Sequence, residues 1–109
     1  MPYSESLAER IRNVLGDRSD VSEKKMFGGL AFMVAEYMCV GVSNDQLMAR
    51  VGPENYEEAL ARPGASVMDF TGRPMKGYVF VGPEGIRDDA DLRAWVALCE
   101  EFIRSLPPR

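Results

Sequence analysis

Residues Met26-Phe27-Gly28-Gly29-Leu30-Ala31-Phe32-Met33-Val34 lead into Tyr37-Met38-Cys39-Val40-Gly41-Val42 and then Gln46-Leu47-Met48-Ala49-Arg50-Val51, separated only by Ala35-Glu36 and Ser43-Asn44-Asp45. Short apolar runs bounded by turn formers predict strands, and connections this short allow only antiparallel neighbours. Asn44 and Asp45 tolerate the left-handed backbone of a tight turn. Ala35-Glu36 lacks that chemistry, so a longer loop is expected there. Gly28-Gly29 reads first as a bulge in the opening strand and second as a close backbone approach. On the strand reading, Arg50 points away from the face that carries Leu47, Ala49 and Val51.

Upstream of this block, Leu7, Ile11, Val14 and Leu15 fall at helical spacing behind a Ser4 cap, and Gly16 ends the run. Asp17 to Ser22 reads as a polar turn. Downstream, Pro53 and the acids Glu54, Glu57 and Glu58 open a short helix over Asn55–Ala61, since proline suits a first turn and acids complement its dipole. Val67–Phe70 and Gly77–Val81 read as two more strands around the loop Thr71–Lys76. The tetrapeptide Val-Gly-Pro-Glu occurs at 51–54 and again at 81–84, which hints at one strand-to-helix turn used twice. Leu92, Trp95, Val96, Cys99, Phe102, Ile103 and Leu106 form one stripe of a closing helix that should pack on the sheet. The order α-β-β-β-α-β-β-α predicts an α+β domain with a mainly antiparallel five-stranded sheet, spanning 1–109 as a single unit.

Composition narrows the chemistry. The 109 residues, 46% hydrophobic and 28% charged, suit one domain with an ordinary core. Thirteen Lys and Arg against seventeen Asp and Glu give a net charge of -4, which argues against direct DNA binding. Histidine is absent, so Ser-His and Cys-His mechanisms are excluded. Cys39 and Cys99 have neither zinc nor CxxC spacing and read as small core residues. Asp88, Asp89 and Asp91 read as complements to a helix start rather than as a metal site. No metal and no cofactor is expected. With no apolar run long enough to span a membrane and no signal-peptide layout at Met1–Glu5, the expected location is cytoplasmic. Met33, Met38, Met48, Met68 and Met75 read as core filling, or as an adaptable surface if some face outward.

The run Lys24-Lys25-Met26-Phe27-Gly28-Gly29-Leu30-Ala31-Phe32-Met33, followed by Met38–Val42, Leu47–Gly52 and Phe70–Tyr78, resembles the N-terminal domain of TfoX/Sxy competence regulators over nearly the whole chain. Its most specific parts are Met26-Phe27-Gly28-Gly29 and Arg73-Pro74-Met75-Lys76-Gly77, in that order and spacing. The resemblance implies a secretion-chaperone-like α+β fold. It also implies a regulatory domain, found fused to a helical C-terminal domain or alone in small bacterial proteins, and brings no catalytic residues. Because the sequence stops at Pro107-Pro108-Arg109, the stand-alone form is expected.

Within and beside these segments lie Lys24, Lys25, Arg50, Arg73 and Lys76. Together with backbone freed by Gly28, Gly29 and Gly72 they would suit an anion or a partner carboxylate, with Arg50, Arg73 and Lys76 as its centre. The expected function is therefore a non-enzymatic regulatory or protein-interaction domain acting on a protein partner. The alternative is a small anionic-metabolite-binding protein or enzyme using Arg50, Arg73 and Lys76. Exposed sheet edges leave a homodimer open.

Overall fold

In the computed structural model, which describes residues 3–16, 18–26, 29–69 and 74–107, helix α1 spans Glu5–Leu15. Ser4 caps it by accepting from the Leu7 N–H at 3.2 Å, and Gly16 closes it at φ 73°. Strands β1 (Val21–Met26), β2 (Gly29–Val34), β3 (Tyr37–Ser43) and β4 (Gln46–Arg50) follow. Helix α2 (Tyr56–Leu60), strands β5 (Ala65–Asp69) and β6 (Pro74–Val81), and helix α3 (Asp89–Arg104) complete the chain. All six strands form one antiparallel sheet in the order β1-β2-β3-β4-β6-β5.

The α+β class is as expected, but the sheet has six strands rather than five. The added strand is β1, whose Ser22-Glu23-Lys24-Lys25 carries no apolar alternation and sits within a stretch that begins as an expected turn. It is an edge strand held by its backbone ladder to β2, so the Ser22–Lys25 side chains are exposed and the sequence looks like a loop.

The hairpin between β2 and β3 departs from expectation in the opposite sense. Val34 pairs with Tyr37, so the loop is only Ala35-Glu36, with φ of 52° and 71°. These are the positive angles of a type I′ turn, adopted without glycine or asparagine. The bulge is also elsewhere than expected. Phe32 faces Val40 while Met33 faces Met38, leaving Cys39 as the extra residue of β3. Gly29 is instead a close approach, because a Cβ built there would lie 2.0 Å from the Val42 carbonyl oxygen. Gly28 lies outside the described residues.

The repeated Val-Gly-Pro-Glu does the same work twice, since Pro53–Asn55 and Pro83–Gly85 each form one turn of 3-10 helix. The backbone enters the two turns differently: Gly52 has φ 87° and Gly82 has φ -72°.

Both long helices lie on one sheet face. Leu7, Ile11 and Leu15 of α1 and Leu92, Trp95, Val96, Cys99 and Ile103 of α3 are buried with Phe32, Val40, Val42, Leu47, Ala49, Val79 and Val81. The bulge turns Cys39 as well as Val40 toward this layer. On the other face Met38, Met48 and Met68 are buried with Ala31, and Met33, Tyr78 and Phe80 flank them. Methionine thus fills space as expected, and does so on the face opposite the long helices; the side chain of Met75 lies outside the described residues. Arg10 joins α1 to the start of α3 by donating to the Ile86 carbonyl at 2.6 Å and to Asp89 at 3.2 Å. No helix among the described residues is long and apolar enough to cross a membrane.

Candidate functional site

Arg50 is the last residue of β4 and pairs with Tyr78 of β6. Beside it β3 bulges at Cys39, and the Arg50 backbone lies next to the Cys99 thiol of α3. This places the side chain where β3, β6 and the last turns of α3 meet. Its guanidinium carbon lies 5.3 Å from the centre of the Phe102 ring, 5.6 Å from Tyr78 and 5.8 Å from Tyr37. One amino group donates to the Met38 carbonyl at a long 3.4 Å. Arg10, Arg12, Arg18 and Arg62 each form a salt bridge, whereas half-buried Arg50 has no carboxylate partner among the described residues. Among those residues no buried side-chain nitrogen or oxygen lacks a partner, so the unused Arg50 donors open to solvent.

Of the other cations singled out in the sequence, Lys24 and Lys25 lie away from it. Lys76 is exposed on β6, two residues before Tyr78. Lys24 and Lys25 are exposed on edge strand β1, three strand spacings or about 14 Å from β4. Gly29 serves packing against Val42. Arg73 and Gly28 lie outside the described residues. What the sequence did not disclose is the aromatic wall: Tyr37, Tyr78 and Phe102 come from three separate elements, and no local spacing links them to Arg50.

An open groove of about 620 Å³ runs beside the C-terminal end of α3 and the β2–β3 turn. Val34, Tyr37, Ile103 and Leu106 give it apolar lining. Arg18, Asp20, Glu100 and Arg104 supply charge around them. Arg18 bridges Asp20, at 2.9 and 3.1 Å, to Glu100 of α3. The turn is tied down twice, by the Ala35 N–H donating to the Asp20 carbonyl at 2.9 Å and by the Tyr37 hydroxyl donating to the Pro107 carbonyl at 2.5 Å.

These interactions drive charged groups away from neutral pH. Arg18 holds the Asp20 carboxyl below its ordinary range, and Asp20 and Glu100 push the Arg18 guanidinium up. Burial pushes the Cys99 thiol well up, which keeps it protonated and unreactive. No cluster of three metal-ligating side chains occurs among the described residues, and Asp89 is paired with Arg10.

Sheet order and a one-sided helix layer define a small α+β domain. The TfoX N-terminal domain family matches residues 13–103, most of the chain, and the chain belongs to that family. No curated protein and no solved structure matches it.

Proposed function

We propose that this TfoX N-terminal domain is a non-enzymatic regulatory module that acts in the cytoplasm by binding a protein partner through the groove at the end of α3. The observation that supports this reading is the groove itself, where an apolar lining of Val34, Tyr37, Ile103 and Leu106 sits beside Arg18, Asp20 and Glu100, which are already paired to one another. Paired rim charges exclude mismatched partners more than they add affinity, while the apolar floor supplies the burial that drives association. The acidic balance of the chain opposes nucleic acid as the partner.

The test is a photo-crosslinking amino acid placed at Leu106 in the groove, or at exposed Arg93 of α3 as a control, in the full chain in its native cytosol. A discrete protein adduct from position 106, absent from position 93 and competed by unmodified chain, is the expected result. Identical labelling at both positions, or none at 106, overturns the reading. The alternative, an anionic-metabolite site using Arg50, Arg73 and Lys76, has one observation in its favour, that Arg50 has no carboxylate partner among the described residues.

A further inference from the structure

We propose that Arg50 is a recognition point for a single carboxylate, carried by an acidic residue of the partner segment that occupies the groove. This deepens the protein-binding reading and rests on it for the source of the carboxylate, though not for the affinity of Arg50 itself.

A half-buried guanidinium is ordinarily met by a carboxylate of its own chain, because the lost hydration must be replaced. Here the replacement is partial. Three rings wall the group at 5.3, 5.6 and 5.8 Å, and one carbonyl accepts at 3.4 Å. Arginine tolerates aromatic surroundings because its planar cation is weakly hydrated and stacks on ring faces. The rings also exclude water, which lowers the local dielectric and strengthens attraction to an arriving anion. The donors not used on Met38 are not sealed from solvent.

The ring walls favour a flat carboxylate over a tetrahedral phosphate. A planar carboxylate can pair edge to edge with the guanidinium between the ring walls, in the two-pronged arrangement arginine supports. The link to the groove is Tyr37, which lines the groove and walls Arg50 at once. A segment lying along Val34 and Leu106 therefore passes the residue that leads to the charge.

The experiment titrates the full chain with sodium acetate, inorganic phosphate or sodium chloride at equal ionic strength. It follows the Arg50 side-chain N–H and the Tyr78 and Phe102 ring resonances by NMR. A saturable acetate response, weaker with phosphate and absent with chloride, is expected. In R50K, which keeps the charge and loses the fork, the ring response should require at least about tenfold more acetate, the equivalent of one charged hydrogen bond. A linear drift shared with chloride, tighter saturation by phosphate, or an unchanged response in R50K overturns the proposal. Should R50K fail to fold, the acetate and chloride titrations of the unaltered chain still decide it. Free acetate needs no partner, so a failure here is distinct from a failure of the groove to crosslink.

Discussion

Ala35 and Glu36 occupy the left-handed region with side chains that resist it, at φ 52° and 71°. Each non-glycine residue there costs about 1–2 kcal/mol, so the turn is held by its surroundings rather than by its own preference. Those surroundings are identifiable: the Val34–Tyr37 pair closes the hairpin, the Ala35 N–H is bound to Asp20, and the Tyr37 hydroxyl to Pro107. Replacing Ala35→Asn and Glu36→Gly together should stabilise the protein by roughly 1–2 kcal/mol, read as a higher urea midpoint with an unchanged slope. A fall in the midpoint would show that the strain lies elsewhere. This residue pair also marks where local reading stops. Asn44-Asp45 was legible because turn chemistry is carried by the turn residues themselves. Ala35-Glu36 was not, because two strands and a distant carbonyl impose its conformation. Arg50 is the same kind of case: its residue type suggested anion chemistry, but only tertiary packing supplies Tyr37, Tyr78 and Phe102.

Element by element, legibility followed burial pattern. The stripes of α1 and α3 and the apolar runs of β2, β3 and β4 are visible because one face of each is made of hydrophobic residues. Strand β1 is not, since a solvent-facing edge leaves no periodic trace. What fastens β1 to the rest is partly ionic. Arg12 of α1 reaches both oxygens of Glu23 at 2.8 Å each, and Glu9 at 2.6 Å. Arg12 holds the Glu23 carboxyl below its usual 4.5. The unfolded chain therefore takes up the proton at a higher pH than the folded one, and stability from this pair is present above that value and lost as pH falls through the folded pKa. Both side chains are about a third exposed, which limits the pair to roughly 0.2–1 kcal/mol. The unaltered chain should exceed Glu23→Gln in stability by that amount at pH 7. The gap should close progressively below about pH 4.5, measured as urea midpoints across pH. A gap that stays constant or widens as pH falls would assign the effect of the Glu23→Gln substitution to packing.

At the scale of the whole molecule, the sheet separates two apolar layers that the sequence presents as one composition. The alternation of β4 placed Leu47, Ala49 and Val51 on one side, and the helices cover that side. Which side the methionines took was not legible, because methionine fits either layer. Nor was the bulge that aims Cys39 at α3, although Cys39 and Cys99 were both readable as core residues. That bulge brings the two thiols together: burial first, and then the neighbouring Cys39, raise the Cys99 thiol. Both are fully buried, one on a central strand and one on the helix packed across β3 and β4. Exposing either means parting α3 from the sheet, and α3 carries Leu92, Trp95, Val96 and Ile103 of the main core. Local opening therefore has no route to these thiols short of dismantling the layer, and the two should behave as one unit. With an aromatic disulfide reagent in slight excess, Cys39 and Cys99 should label at equal rates, and log rate should rise with urea along the slope of global unfolding. Leu92→Ala, which opens a cavity in the same layer at a cost of about 2–5 kcal/mol, should accelerate both equally and by roughly thirtyfold or more. Faster labelling of Cys99 alone would mean that the end of α3 detaches while the sheet stays folded, and the groove beside it would then be a moving surface instead of a rigid one.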